Sequence, residues 1–381
     1  MNILMLVSNP FVTDPRVYNE AKSLMSAGHM VTVIACDREG KLPASDTMDS
    51  INIIRLKLGL NPRSGFMWPL RFGFMLLLWQ FKVARYAVNL HKSQGFDVIH
   101  CHDFDTLPAG IQIKEKLGLP LIYDAHEIYG LIMVDVLPSP IGKLFLYLER
   151  RMLGSVTAII TVTEPLKKYY ESVSHAKTIL VMNCKTPVSE VYRSTGNSKS
   201  LRILYVGLID KWRNLSNLID IVGQLDNISC TIGGVGIPAH VSYIEKMCRK
   251  YRNTEFVGSV PQGRVMSMTM EADCIFLMID PAHKYSKLAL GNKQFEAMAC
   301  GRPIICTKDT YAGDLTEEEK AGLSIDFTAD ALRKTLIMLR DDPQLREALG
   351  RNALRAAITK YNWPNEAKKL LDYYSFQLIN I

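Results

Sequence analysis

Apolar runs of strand length alternate with stretches of helical periodicity along most of the chain, the pattern of parallel β-α-β units. Ile3–Val7 reads as a buried strand. It leads to a helix with Val17, Ala21, Leu24 and Met25 on one face, closed by Gly28, and then to a strand over Val31–Ala35. The pattern restarts in the second half. Leu201–Val206 leads to a helix with Leu215, Leu218, Ile219, Val222 and Leu225 inward, then to Ile228–Ile232, which ends in Gly233-Gly234. Between the halves, residues 194–200 are small and polar, as a linker or hinge should be. Helical stretches over 329–339, 343–358 and 364–379 close the chain, and the last carries Tyr373, Tyr374 and Phe376, apolar surface that needs a partner. The expected fold is α/β, with two Rossmann-like doubly wound parallel-sheet domains, 1–193 and 194–361, facing a central crevice. The helix over 362–381 is expected to pack back on the first domain.

One segment breaks the pattern. In Gly65–Leu90, the run Phe72–Trp79 is apolar on every face, with Arg71, Lys82 and Arg85 at its ends and Phe66-Met67-Trp68 before it. Eight apolar residues are too few to span a bilayer. Two placements fit: a helix lying in the membrane interface, or one buried between the sheet and a loop.

Length and composition agree with two domains of ordinary core size: 381 residues, 48% hydrophobic and 22% charged. The net charge of +7 suits an anionic partner, but the basic residues are dispersed, with no stripe or module of a nucleic-acid binder. The eight cysteines form no Cys-x-x-Cys pair, and several sit in strand-like apolar runs. They read as reduced core residues of a cytoplasmic protein. The first residues lack a basic n-region and cleavage site, so the expected location is cytoplasmic, peripheral on the membrane face if 65–90 lies in the interface.

The most chemically specific stretch is Leu290–Cys306, where a glycine turn opens a short helix. Free N–H groups and the positive dipole end near Gly291, Asn292 and Lys293 attract an anion, and Glu296, one turn on, is placed to accept hydrogen bonds from ribose hydroxyls. Arg213 and Lys293 carry the charge to neutralise a diphosphate, although each also fits a solvated surface residue. His100, Cys101, His102, Asp103 and Asp105 look like metal ligands at first sight. Strand alternation puts His100 and His102 on one face and Cys101 on the other, no matching second cluster is visible in the sequence, and no metal is expected. His126-Glu127 is not a zinc-protease signature, because Gly130 stands where a second histidine would be needed. A nicotinamide dehydrogenase is disfavoured, since the first strand is followed by Ser8-Asn-Pro-Phe-Val-Thr13 rather than a Gly-x-Gly-x-x-Gly turn.

Asp14-Pro-Arg-Val17, Gly28–Val33, Asp97–Asp103 and Tyr123-Asp-Ala-His-Glu127 occur in that order in the first half. Val206-Gly207, Gly233-Gly234, Phe256–Pro261, Ala272-Asp273 and Glu296–Gly301 with Pro303 follow in the second. Together they resemble the retaining family 4 glycosyltransferases of the GT-B fold, over nearly the whole chain. The resemblance implies a metal-independent enzyme without cofactor. It would move a hexose or N-acetylhexosamine from a nucleotide sugar, UDP- or GDP-linked, to a glycan or lipid-linked acceptor in cell-surface polysaccharide or glycoconjugate synthesis.

By the same resemblance, His126 contacts the transferred sugar, Arg213 and Lys293 hold the leaving diphosphate, and Gly207, Val260, Gly291, Asn292 and Glu296 form the donor site. Arg16, Asp103 and Glu127 are acceptor-side candidates, Arg16 toward an acceptor phosphate or paired with a nearby acid. No carboxylate is an obvious nucleophile, so retention implies same-face attack, with the leaving phosphate oxygen taking the acceptor's proton. Two positions depart from the family pattern: Leu288 where a first glutamate is usual, and Leu208 where an arginine follows the glycine. They keep a second reading open, a GT-B protein that binds nucleotide or glycan without turnover. A sugar-nucleotide epimerase is a third.

Overall fold

The computed structural model describes residues 1–12, 14–58, 68–196 and 199–377. The chain forms two compact units, Met1–Val181 with Ala367–Ile381, and Met182–Glu366. In the first unit, β1 (Asn2–Val7), α1 (Pro15–Ser26), β2 (Met30–Asp37), β3 (Ser45–Met48) and β4 (Ile51–Lys57) precede a long α2 (Trp68–Gln94). Next come β5 (Val98–His102), α3 (Leu107–Leu117), β6 (Leu121–Ala125), α4 (Tyr129–Val136), α5 (Ser139–Met152), β7 (Ala158–Thr161), α6 (Glu164–Val173) and β8 (Lys177–Leu180). The eight strands order as β3-β4-β2-β1-β5-β6-β7-β8, parallel except for β3 against β4. The direction of winding reverses between β1 and β5, the position beyond which open parallel sheets bind ligands.

Local chemistry explains the first turn-to-helix junction. Asp14 accepts a hydrogen bond from the Val17 N–H as N-cap, Pro15 stands at the first turn, and Gly28 ends the unit at φ +86°. The β1 positions Ile3 to Val7 are buried, as a strand covered on both faces requires.

The second unit repeats the scheme with β9 (Leu201–Ile209), α7 (Leu215–Val222), β10 (Ile228–Gly236), α8 (Pro238–Cys248), β11 (Thr254–Phe256), α9 (Gln262–Glu271) and β12 (Cys274–Phe276). It continues with α10 (Asn292–Ala299), β13 (Ile304–Thr307), α11 (Tyr311–Glu318), β14 (Gly322–Ile325), α12 (Ala329–Asp341) and α13 (Pro343–Thr359), and α14 (Trp363–Asp372) carries the chain back to the first unit. Its sheet order is β11-β10-β9-β12-β13-β14, with the reversal between β9 and β12.

The units change at Val181–Met182 and Glu366–Ala367 rather than at the polar run after 193 and at 362. The stretch before that run is already tied to the second unit: Val188 N–H donates to the Ala299 carbonyl and Arg302 to the Arg193 carbonyl. In the first unit, Tyr374 hydrogen-bonds His100 at 2.8 Å, while residues 378–381 of the expected terminal helix lie outside the described residues. All eight cysteines are free and buried.

Residues 65–67 of the atypical segment, Phe66 and Met67 among them, also lie outside the described residues. From Leu77 onward α2 is two-faced. Trp79, Gln80, Val83, Ala84 and Ala87 are buried, whereas Leu77 and Phe81 are 61% and 63% exposed, with Leu78 and Tyr86 beside them in solvent. Among the described residues no helix is long and apolar enough to cross a membrane.

Candidate active site

In the second unit, α10 starts at Asn292 with Gly291 as its cap, so the expected helix N-terminus is present. Lys293 reaches back from its first turn to the end of β9. Its Nζ lies over the Tyr205 ring at 5.3 Å from the centroid and against Gly207, where an added Cβ would meet the ammonium at 2.0 Å. Glycine at 207 is therefore what admits the lysine. Burial, and after it the charge of Arg213, lowers the Lys293 ammonium to about 8.

Arg213 sits at 3.4 Å from Asp210, and Glu296 is buried within 3.9 Å of Lys185. Gly234 adopts φ +143° with its missing Cβ directed at the Gly207 carbonyl, and Gly233 packs against Val260. The β9–β10 edge and the start of α10 thus form one cradle with two cations, backbone N–H groups and a buried carboxylate. That is the chemistry of a diphosphate beside a polyol.

The first unit gathers its chemistry at the C-terminal edge of β5 and β6. Asp124 is fully buried and accepts from three side chains: Arg16 (Nη2 at 2.6 Å, Nε at 2.9 Å), His102 (Nδ1 at 3.0 Å) and His126 (Nε2 at 2.7 Å). The other nitrogen of His126, Nδ1, lies 3.2 Å from Asp103, whose backbone sits at φ +61° just past β5. Burial opposes charge on His126, but Asp103 and Asp124 outweigh it and hold the imidazole well above its usual range. Burial likewise opposes charge on Asp124, and Arg16, His126 and His102 together keep it well below the carboxylate range. The ring is an imidazolium clamped on both nitrogens. Of its two partners, Asp103 is half exposed, so the His126 nitrogen open to a ligand is Nδ1.

Behind this clamp lies Glu20, one turn after Arg16 and 2.9 Å from its guanidinium; burial, set against Arg16, raises it to about 7. Among the described residues Glu20, His100, His102 and Asp124 form a buried cluster with metal-ligand atom types. The second set of ligands that the sequence does not display therefore exists, supplied by α1 and β6. Arg16 already places its positive charge between the two carboxylates.

The expected donor residues Gly207, Val260, Gly291, Asn292, Lys293 and Glu296, with Arg213, all fall within the second unit around β9, β10 and α10. Asp103, His126 and Glu127 line a common pocket in the first. Of the two readings of Arg16 the structure shows the pairing with an acid and not the presentation to an acceptor phosphate, because its guanidinium is buried on Asp124, Glu20 and the Val181 carbonyl. Leu208, at the position usually held by arginine, points half-exposed from β9.

Sequence reasoning missed four contributors. Asp124 had a signal, since strand alternation puts it on the same side as His126 two residues later. Glu20 had one too, at helical spacing from Arg16. Lys185, which precedes the polar linker, and Tyr205, inside an apolar strand, had none.

Comparison with known proteins agrees with this division. The model of Glycosyltransferase Family 4 matches residues 15–184 and that of Glycosyl transferases group 1 matches residues 191–356. An uncharacterized glycosyltransferase of Methanocaldococcus jannaschii is 22% identical over 382 residues, covering 94% of this chain and 92% of the relative. Sucrose-phosphate synthase of Thermosynechococcus elongatus superposes with a TM-score of 0.80 at 19% identity, over 100% of both chains. Anabaena HepE, solved in complex with UDP-glucose, does so with a TM-score of 0.71 at 14% identity, over 98% of this chain and 99% of that one. These likenesses establish the fold, and the two family matches establish the activity class: the chain belongs to glycosyltransferase family 4 and is a glycosyltransferase of the GT-B fold.

Proposed function

We propose that the protein transfers a hexose or N-acetylhexosamine, with retention of configuration, from a UDP- or GDP-sugar to a glycan or lipid-linked acceptor in surface polysaccharide or glycoconjugate synthesis. The observation that carries this reading is the seating of Lys293 on Gly207 beside the N-terminus of α10. A charge fixed in that partly desolvated cradle stabilises a departing diphosphate without reorganisation, and no metal is needed for it. Glu296 accepts from the donor's ribose, and His126 offers its Nδ1–H to the transferred sugar. The acceptor oxygen attacks the anomeric carbon from the face the diphosphate leaves, the C–O bond to the phosphate breaks, and the leaving oxygen takes the acceptor's proton. That HepE is solved with UDP-glucose supports a uridine nucleotide among the donors to try first.

The test is thermal stabilisation by UDP, GDP, ADP, CDP and TDP sugars. At a hundred times Kd, one nucleotide sugar is expected to add about 2.7 kcal/mol by mass action. The Glu296→Ala variant should lose most of that shift. A panel without any shift in the native protein would sink the donor assignment.

The exposed Leu77, Leu78, Phe81 and Tyr86 on α2, with Ile141, Leu144 and Tyr147 on α5, support a peripheral location on the cytoplasmic membrane face, where a lipid-linked acceptor would be met. Both helices pack on α3, and Lys82, Arg85 and Lys143 lie among these residues. Burying a phenylalanine in the interface contributes about 1.5–3 kcal/mol. Phe81→Ser should therefore lower flotation with vesicles containing anionic phospholipid by roughly tenfold or more; unchanged flotation would exclude α2 as a membrane contact.

A further inference from the structure

Beside the His126 clamp, the first unit holds a pocket of about 310 Å³ lined by Asp103, Phe104, Asp105, His126, Glu127, Tyr129 and Ile132. Its walls are of two kinds. One is aromatic: Phe104 and Tyr129 lie at 5.0 Å with their planes within 26°, and Phe145 backs both. This wall is rigidly held, because the buried Glu149 carboxylate accepts from the backbone N–H groups of Tyr129 and Gly130, and an added Cβ at Gly130 would meet the Leu146 backbone at 2.3 Å.

The other wall is made of hydrogen-bond acceptors. Asp103, Asp105 and Glu127 contribute three carboxyl groups against the single imidazolium, and no lysine or arginine lines the pocket. Asp105 takes a hydrogen bond from Ser8 on one oxygen, while its buried Oδ1 has no hydrogen-bond partner. Arg38, whose charge acts on Asp105 from outside this lining, donates to the Ser8 carbonyl at 2.9 and 3.1 Å. The three carboxylates do not converge as metal ligands; the cluster that does, among the described residues, is the one around Glu20.

An apolar flat wall facing a row of acceptors matches a pyranose ring, which presents a C–H face and several hydroxyl donors. A phosphate matches it badly, since it brings only acceptors and negative charge to carboxylates. We infer that this pocket receives the uncharged terminal sugar of the acceptor and refuses a phosphorylated one. The inference rests on the transferase reading and narrows it: acceptors such as hexose phosphates are excluded, and any phosphate of a lipid-linked acceptor stays outside the pocket.

Saturation-transfer NMR tests it on the full chain with methyl glucoside, methyl N-acetylglucosaminide, octyl glucoside and glucose 6-phosphate, each up to about 50 mM, well into the range of weak ligands. At least one neutral glycoside should bind, with glucose 6-phosphate about tenfold weaker or more. Tyr129→Ala and Asp105→Asn should each weaken the neutral sugar by about tenfold. The exposed Glu127→Arg should shift preference toward glucose 6-phosphate, which a merely unfolded protein would not do. Equal binding of the methyl and octyl glucosides identifies a glycan terminus as the source of the sugar, and tighter octyl binding a lipid-linked one; both support the inference. Glucose 6-phosphate binding as well as the neutral glycosides, no neutral glycoside binding, or binding indifferent to all three substitutions would overturn it. The nucleotide-sugar thermal shift, measured on the same samples, reads the second unit. Its persistence beside absent glycoside binding discards the acceptor inference alone, and its absence in the native protein discards the donor assignment beneath it.

Discussion

Lys293→Met is expected to lower kcat for sugar transfer by about 10²–10³-fold, with a smaller effect on folding than on rate. The side chain lies on Gly207 and the Tyr205 ring at the first turn of α10, so methionine keeps much of the packing and removes only the charge. What is lost is a preorganised donor aimed at the charge that grows on the leaving diphosphate, an effect worth about 2.7–4 kcal/mol when one such group is deleted.

The pH dependence gives the prediction a second edge. Burial, with Arg213 added, lowers the Lys293 ammonium to about 8. An arriving diphosphate pulls that value up, so binding takes up a proton whenever the pH is above it. Donor affinity should therefore be greatest below about pH 8 and fall as the pH rises through it, and this limb should vanish in Lys293→Met. Calorimetric titration of the nucleoside diphosphate across pH 6 to 10, together with initial rates, checks both; native rates in the variant would remove Lys293 from the mechanism.

Much of this site is written in short-range pattern. The β-α alternation marks both sheets because each strand is buried on two faces, and the glycine before Asn292 marks the start of α10 because a helix opening onto a ligand needs free N–H groups rather than a side-chain cap. His126 is legible as a strand-end residue at the edge of β6. What the pattern hides is partnership across long sequence separation. Arg16 reads as a helix-start cation that faces an acceptor phosphate or pairs with a nearby acid, yet the acid is Asp124, 108 residues away, and the bond turns Arg16 into an internal counter-ion. Lys185 precedes the polar run that looks like the domain boundary, yet it lies beside Glu296 because the preceding stretch is hydrogen-bonded to the second unit. The apolar run in α2 shows no period in sequence. Burial of Trp79 and Val83 against exposure of Leu77 and Phe81 becomes visible only when the packed face is known. Local rules fix elements; which polar groups neutralise one another is decided by the assembled sheet.

Asp124→Asn should be among the most destabilising single substitutions in the first unit, at about 3–5 kcal/mol by denaturant titration at pH 7. The shape is kept, but the buried carboxylate that accepts from Arg16, His102 and His126 is lost. An amide leaves the Arg16 guanidinium with Glu20 as its remaining carboxylate, at 2.9 Å, and that partner limits the loss. The same redistribution changes the response to pH. Burial raises Glu20 to about 7 against the pull of Arg16, with Asp124 adding to the rise. The folded protein then binds more protons than the unfolded chain between the ordinary glutamate range and about 7, and this group's contribution to stability falls as the pH rises through that window. With Asp124 neutral, Glu20 drops toward its ordinary value and that slope flattens. His126, held well above its usual range by Asp103 and Asp124, loses one of them. Its contribution, full below the ordinary histidine range and lost as the pH rises through its folded value, therefore disappears at a lower pH than in the native protein. Arg16→Met separates charge balance from packing. If Arg16 and Asp124 act as one buried pair, the double variant costs less than the two single variants summed, with a coupling of about 0.5–3 kcal/mol. Strict additivity would mean that Asp124 supports the site through His102 and His126 alone.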